Sequence, residues 1–253
     1  MKIKCNFFAL GFLFFIFNFL DNYCEPITPN IHITCDSHML GNRLFIFCYS
    51  KILAEQLHAT VISEPIKGFP NTYNLLHSNS ETTINKHGYF QRYEYYQPYK
   101  KQIKEWLKLD SQIIPHADKD DIIIHIRSLE NMYYVPFDYY QKALADTSYN
   151  KVYICIDDPN SSFLDNFKVY KPIIIKHANP FDPDATLQDF KLIMSFNKII
   201  ASKSTFSWWA AFLSDASEIY IPKTNHGMMS PEVPEVDLFV TDEPRYKYIE
   251  CNW

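Results

Sequence analysis

The sequence predicts an α/β protein whose C-terminal half forms a parallel, doubly wound sheet. Short apolar runs recur at residues 120–127, 151–156 and 197–202, and helical patterns separate them. Near-continuous isoleucine, as at residues 122–124, is typical of a strand buried on both faces. Strands that alternate with helices indicate right-handed βαβ units, and the chain of 253 residues is long enough for one large or two small domains.

The N-terminal part, residues 31–110, is predicted to be a smaller α/β unit. A polar, weakly patterned stretch runs to residue 85 and carries no predicted strand. Residues 111–118 are predicted to be a linker. The elements expected in this unit are strands at residues 31–35 and 59–63 and helices at residues 42–57 and 97–109.

Residues 119–253 are predicted to form the C-terminal unit with the doubly wound sheet. A strand at residues 218–222 is expected to end at Pro222, because proline lacks a backbone N–H. The helices expected here are at residues 137–145, 161–167 and 184–196, together with one of about three turns that begins near Ser204.

The N-terminus, residues 1–25, is predicted to be a signal peptide or a short membrane anchor. Lys2 and Lys4 precede an apolar run at residues 5–20. With lysines before the run, the rest of the chain is expected to cross the membrane. The protein is therefore expected in a Golgi-like lumen or periplasm, anchored, or secreted if the segment is cleaved.

The segment at residues 202–213 is the most informative for function. Ser204 or Thr205 is expected to cap a helix whose first turn offers unpaired N–H groups and the positive end of the dipole. A phosphate is the natural guest of such a site. The alternative is ordinary capping, with Trp208 and Trp209 as core residues.

His125 and Arg127 end the strand predicted at residues 120–127. Because strand side chains alternate, both project to the same face at the carboxyl end. An open α/β sheet keeps its ligand crevice there, and arginine suits phosphate oxygens. The alternatives are a hydrogen-bonded core histidine and an arginine paired with Asp120 or Glu130.

Asp157 and Asp158 follow the strand predicted at residues 151–156. Carboxylates at this position accept hydrogen bonds from a sugar hydroxyl or a purine edge, although Asp-Asp-Pro-Asn is also good turn chemistry. Hard ligands nearby are few, so no metal site and no cofactor are expected. A net charge of -5 makes nucleic acid an unsuitable partner. Cys155 is expected to be a free buried thiol.

Residues 204–213, Ser-Thr-Phe-Ser-Trp-Trp-Ala-Ala-Phe-Leu, are similar to the Ser-Phe-Ser-Trp-Trp block of glycosyltransferase family 11, the α-1,2-fucosyltransferases. His125-Ile126-Arg127 resembles the opening of the fucosyltransferase His-x-Arg-Arg motif. Further resemblances to elements of the family or its superfamily are Gly41-Asn42-Arg43-Leu44-Phe45, Gly88-Tyr89-Phe90-Gln91 and Asp157-Asp158-Pro159. Ser128 departs from the pattern, since the family has a second arginine there.

This resemblance implies a two-domain, GT-B-like enzyme that transfers fucose from GDP-fucose to a glycan acceptor, with inversion and without a divalent metal. It implies that Arg127 holds the β-phosphate and that His125 lines the nucleotide pocket. Asp157 or Asp158 would read the guanine. The other implied donor-binding residues are Ser204, Thr205, Phe206, Ser207, Gly41, Asn42 and Arg43.

Two alternatives stay open at this stage. The loss of the second arginine at Ser128 is compatible with a homologue that binds a nucleotide or glycan without turnover. A transferase of the same architecture could also use another sugar nucleotide. For the general base, Asp36, His38 and Glu94 are candidates by chemical type only.

Overall fold

The computed structural model describes residues 29–34, 39–73, 83–127, 135–176, 182–224 and 236–251. The predicted leader at residues 1–25, the base candidates Asp36 and His38, and Ser128 lie outside these ranges. Within the ranges, no helix combines the length and the apolar character needed to span a membrane.

The N-terminal part contains a small parallel sheet of three strands in the order β2-β1-β3. The strands are β1 (Asn30–Thr34), β2 (Thr60–Ile62) and β3 (Thr83–His87), and helix α1 (Leu40–Leu57) connects β1 to β2. The predicted strands and the predicted helix at residues 42–57 are confirmed to within two residues. β3 was missed because it is an edge strand whose five residues bury little apolar surface.

The predicted helix at residues 97–109 is wrong in its bounds. The structure has a short helix α2 (Tyr93–Tyr96), a 3₁₀ turn (Gln97–Tyr99) and helix α3 (Lys100–Trp106). Pro98 lies in the 3₁₀ turn, where its missing N–H is tolerated. The helical segment therefore begins earlier and ends earlier than the pattern predicted.

The larger sheet has six strands, all parallel, in the order β6-β5-β4-β7-β8-β9. The strands are β4 (Ile122–Ile126), β5 (Val152–Ile156), β6 (Ile173–Ile175), β7 (Lys198–Ile200), β8 (Glu218–Thr224) and β9 (Tyr246–Cys251). The connecting segments are helices α4 (Phe137–Ala145), α5 (Pro183–Ser195) and α6 (Thr205–Leu213) and a 3₁₀ segment (Ser162–Tyr170).

This strand order confirms the predicted doubly wound, Rossmann-like sheet. The chain moves outward from β4 to β6 and then returns to place β7 on the other side of β4, so the order reverses between β4 and β7. Ile122 and Ile124 pack in the cluster that includes α4, whereas Ile123 packs in the cluster that includes α5 and α6. Helices therefore cover both faces. The two-domain GT-B arrangement stays a prediction.

Two further sequence predictions in this unit are corrected. Pro222 does not end its strand, because β8 continues to Thr224. Beyond Tyr220 the strand pairs with β9 and not with β7, so a residue without an N–H is tolerated there. The predicted helix at residues 161–167 is a 3₁₀ segment that extends to Tyr170. β6 and β9 were not predicted.

Helix α1 packs directly on helix α6 and joins the small sheet to the large one. The ring of Phe45 lies 5.1 Å from Trp208 and 4.8 Å from Trp209, measured between centroids. All three side chains belong to one hydrophobic cluster. This contact brings the beginning of α1 to the carboxyl edge of the six-stranded sheet.

Candidate functional site

A cavity of about 650 Å³ lies at the carboxyl edge of the larger sheet, where the strand order reverses between β4 and β7. Its wall combines the beginnings of α1, α5 and α6 with the residues that follow β4 and β5. Nine of the eleven sequence-predicted site residues line it: Gly41, Asn42, Arg43, His125, Arg127, Asp157, Ser204, Thr205 and Phe206. Asp158 and Ser207 do not.

Gly41 allows helices α1 and α6 to meet at their beginnings. A Cβ at this position would lie 2.5 Å from the Thr205 hydroxyl oxygen, 2.6 Å from its carbonyl carbon and 2.7 Å from the Phe206 nitrogen. Two of these atoms belong to the backbone and cannot rotate away. The close approach of the two helices therefore requires glycine at position 41.

His125 is buried and bonded to a hydroxyl. Its Nδ1 lies 2.8 Å from the Ser202 Oγ, on the loop after β7. Burial is the main cause that lowers the pKa of His125 to about 4; Arg127 lowers it further, whereas Asp157 opposes the shift. The imidazole is therefore neutral at pH 7, and it serves the cavity through hydrogen bonding rather than through charge.

Arg127 forms an ion pair with Asp157, while Glu130, one of the partners considered from the sequence, lies outside the described residues. Its Nη1 lies 3.4 Å from the Asp157 Oδ2 across the ends of β4 and β5. Both side chains line the cavity and both are partly exposed. An anion in the cavity therefore has access to the guanidinium, which suits phosphate oxygens.

The beginning of α6 is built as the sequence predicted, with Ser204 as the N-cap. Its side chain accepts a hydrogen bond from the Phe206 N–H at 3.2 Å. Ser204, Thr205 and Phe206 line the cavity. The Ser207 hydroxyl instead turns inward and donates toward the carbonyl oxygens of Ser202 and Ser204, at 3.4 and 3.3 Å.

Asp158 has the turn role that the sequence left as an alternative. Its Oδ1 accepts a hydrogen bond from the Asn160 N–H at 3.0 Å. Asp157, one residue earlier, faces the cavity. In the loop after β5, the Asp158 carboxylate therefore stabilises a turn, whereas the Asp157 carboxylate lies in the cavity wall.

Sequence reasoning missed several residues of the cavity wall. Lys203 lies within the hydroxyl-rich segment and was passed over because only the hydroxyls were weighed. Asp189 projects from the interior of α5, where no local pattern distinguishes it from a solvated helix residue. The other lining residues with polar side chains that were not predicted are Lys67, Tyr89, Gln91 and Thr186.

Gln91 links the cavity wall to helix α1. Its amide nitrogen donates a hydrogen bond to the Asn42 Oδ1 at 3.0 Å. Phe90, the preceding residue, has a left-handed backbone with φ 51° and stacks on Tyr49 at 4.1 Å. This backbone turns Tyr89 and Gln91 toward the cavity while Phe90 packs against the N-terminal core.

The charged groups of the cavity wall favour an anion. Four cationic side chains line it, against the two carboxylates of Asp157 and Asp189. The positive ends of α1, α5 and α6 add to this balance. The cations are Arg43, Lys67, Arg127 and Lys203.

Glu94, a base candidate from the sequence, lies outside the cavity wall, where its carboxylate pairs with Arg92 at 2.6 Å. Among the described residues, no three His, Cys, Asp or Glu side chains are grouped so as to hold a metal ion.

Residues 137–233 match the model of glycosyl transferase family 11. The resemblance read from the sequence is confirmed for this segment, and the match supports a transferase. Asp157, Ser204, Thr205 and Phe206 lie inside the family 11 segment, whereas His125 and Arg127 precede it. A search of curated proteins and a search of solved structures gave no significant match.

Proposed function

We propose that the protein transfers fucose from GDP-fucose to a hydroxyl group of a glycan acceptor, with inversion at the sugar carbon. One observation carries the proposal. The cavity at the switch point places Arg127 in the same wall as the beginning of α6, which belongs to the family 11 segment. An arginine fork and a helix N-terminus together favour a diphosphate.

In the proposed complex the diphosphate lies between Arg127 and the first turn of α6. Thr205 donates its hydroxyl to a phosphate oxygen, and the first-turn N–H groups point at the same anion. The guanine lies against a carboxylate that accepts from its N–H edge. Asp157 and Asp189 both have this capacity, because both line the cavity.

The reaction forms one bond and breaks another. The acceptor oxygen attacks the sugar C1, the bond from C1 to the β-phosphate oxygen breaks, and its electron pair leaves with GDP. The acceptor proton passes to a base or to solvent. Negative charge gathers on the departing diphosphate, where Arg127 and the helix dipole stabilise it. Neutral His125 adds no charge and orients the loop through Ser202.

We also propose that the reaction needs no divalent metal, since Arg127 and α6 can balance the diphosphate. A transfer assay with EDTA tests this point. Unchanged activity is expected. Activity that EDTA abolishes and manganese restores would overturn it.

The proposed location is the far side of a membrane, through the segment at residues 1–25, either anchored or secreted. A fusion of residues 1–40 to a reporter that reports translocation tests it. Retention of the reporter in the cytosol would overturn it.

The central experiment is a thermal-shift screen of GDP-fucose, GDP-mannose and UDP-sugars, followed by transfer assays with the donors that stabilise the protein. Stabilisation by GDP-fucose and formation of a fucosylated product are expected. Stabilisation only by UDP-sugars would assign another donor.

A second candidate function rests on Ser128, which replaces the family's second arginine. It is a binding protein without turnover. Tight GDP-fucose binding, with neither transfer nor donor hydrolysis, would favour this candidate over the enzyme.

A further inference from the structure

We infer that Lys203 is a second phosphate-binding cation of the cavity, which holds the diphosphate of the nucleotide donor together with Arg127. The inference rests on the proposed binding of a nucleoside diphosphate. Lys203 lies on the loop between β7 and α6, one residue before the N-cap Ser204, and its side chain lines the cavity.

The loop around Lys203 is fixed on both sides. Before it, the Ser202 hydroxyl is bonded to His125 at 2.8 Å. After it, the Ser204 N–H donates to the Ser202 carbonyl oxygen at 2.8 Å, and the Ser204 side chain caps α6. Ser202 and Ser204 are both buried. The backbone therefore holds Lys203 at the cavity before any ligand enters, which lowers the entropy lost on binding.

Arg127, Arg43 and Lys67 also line the wall, and each contacts a neighbouring oxygen. Arg127 shares its charge with Asp157, at 3.4 Å. The Arg43 guanidinium donates to the Pro65 carbonyl oxygen at 2.7 Å, and Lys67 pairs with Asp184 at 2.6 Å on the surface. A diphosphate carries at least two negative charges, and Arg127 alone, offset by Asp157, does not balance them. Lys203 lies next to the N-cap of α6, where the proposed diphosphate binds, and its ammonium group supplies further positive charge there.

The environment of Lys203 favours binding of an anionic ligand. Burial lowers the pKa of its ammonium group from the ordinary value, because water is partly excluded around it. A phosphate oxygen beside the ammonium replaces the lost hydration and favours the charged form. The folded protein thus holds a partly desolvated cation at the proposed binding site, and a charge-assisted hydrogen bond to this cation strengthens binding of the ligand.

Calorimetric titration of the full chain with GDP and with guanosine tests the inference. Lys203→Met is expected to weaken GDP binding by roughly tenfold to a hundredfold, the usual loss for a charge-assisted contact, and to leave guanosine binding unchanged. Lys203→Arg is expected to restore most of the GDP affinity. The matched control is Lys101→Met, which removes an exposed lysine of α3 outside the cavity wall and is expected to have no effect.

Proton uptake on GDP binding distinguishes a charge effect of Lys203 from an effect of the substitution on folding. Because the phosphate raises the pKa of Lys203, GDP binding to the wild type at alkaline pH is expected to take up protons, measured in buffers of different ionisation enthalpy. The uptake should fall in Lys203→Arg, whose guanidinium stays protonated.

Equal loss of GDP and guanosine affinity in Lys203→Met, or no loss of either, overturns the role of Lys203. If the wild type prefers UDP or ADP and Lys203→Met weakens that ligand, the inference stands and the proposed donor fails. If no nucleoside diphosphate binds the wild type, both the inference and the proposed function are overturned.

Discussion

The two ends of the six-stranded sheet each place a histidine beside a polar partner, yet the two pairs differ in character. At the carboxyl end, buried His125 meets the neutral hydroxyl of Ser202 at 2.8 Å. At the amino end, the His116 Nε2 lies 2.8 Å from the carboxylate of buried Asp121, and its ring stacks on Phe196 at 4.1 Å. The amino end also carries a cavity, of about 990 Å³.

The larger cavity is the poorer candidate for a phosphate site, and the reason is the direction of the helices. In βαβ units the helices run antiparallel to the strands, so α5 and α6 begin at the carboxyl end and finish at Ser195 and Leu213, on the wall of the amino-end cavity. The positive ends of these two helix dipoles face the cavity at the carboxyl end of the sheet, and the negative ends face the cavity at the amino end. His116 donates its backbone N–H to the Ser195 carbonyl oxygen and so ties the predicted linker at residues 111–118 to the end of α5.

The largest expected effect is at the junction of α1 and α6. Gly41→Ala places a methyl group within 2.7 Å of two backbone atoms, so the helices must separate. We expect a loss of about 3 kcal/mol in the free energy of unfolding, measured by urea denaturation. Gln102→Ala, an exposed substitution on α3, is the control and should change stability by less than about 0.5 kcal/mol. A stable Gly41→Ala variant would show that the two helices need not touch.

A second prediction concerns pH and the neutral histidine. Because the pKa of His125 falls to about 4 in the folded chain from an ordinary 6.5, its contribution to stability is present above pH 6.5 and is lost as the pH falls toward 4. The loss amounts to up to about 3 kcal/mol, at about 1.4 kcal/mol per pKa unit. Urea titrations of the wild type and of His125→Asn from pH 7 to pH 4 measure it. Identical slopes in the two proteins would remove His125 as the cause.

The third prediction separates binding from stability at the two ends. Arg127→Ala is expected to weaken GDP binding by about 1.5–3 kcal/mol, roughly tenfold to a hundredfold, with little change in stability because the ion pair is partly exposed. Asp121→Asn removes a buried carboxylate that accepts from Lys151 N–H and contacts His116. It should lower stability by about 1–3 kcal/mol and leave the GDP affinity unchanged. Weaker GDP binding in Asp121→Asn with unchanged GDP binding in Arg127→Ala would indicate that the nucleotide binds at the amino end of the sheet.

The smallest effect compares two serine caps. Ser204→Ala and Ser161→Ala each remove a side chain that accepts a hydrogen bond from a backbone N–H two residues later, at 3.2 and 3.3 Å. Each should cost about 1 kcal/mol of stability, but only Ser204 lines the cavity, so only Ser204→Ala should also weaken GDP binding. Equal GDP affinities in the two variants would place the ligand away from the beginning of α6.

Local patterns predicted most of the C-terminal unit because its strands and helices bury continuous or periodic apolar faces. The predicted helix at residues 137–145 coincides with α4. The hydrophobic pattern failed to predict elements that bury little apolar surface, and it failed where the outcome depends on which strands are neighbours in the sheet. β3 and β6 have exposed or half-buried side chains, and Pro222 continues a strand because one neighbour, β9, is enough at that position.

The cavity was predictable only in part. Side-chain alternation along a strand predicts that His125 and Arg127 share a face, and the serine hydroxyl predicts that Ser204 caps a helix. Both predictions depend only on residues close in the sequence. Asp189 and Lys67 do not, because they reach the cavity from α5 and from the loop after β2. The sequence also did not show that the Ser207 side chain points inward. Consecutive residues of a helix point in directions about 100° apart, so Ser207 and Phe206 cannot both face the cavity in the same way.

The sequence by itself determined the parallel, doubly wound sheet, the polar residues at the ends of its strands, and the family resemblance of residues 204–213. These features depend on contacts between residues close in the chain, or on the strand period. Only the tertiary structure decided that Arg127 pairs with Asp157, that Gly41 lies against Thr205, and that Lys203 shares a wall with both. Those contacts join residues that are far apart in sequence, and their geometry depends on how α1, β4, β5 and α6 pack together.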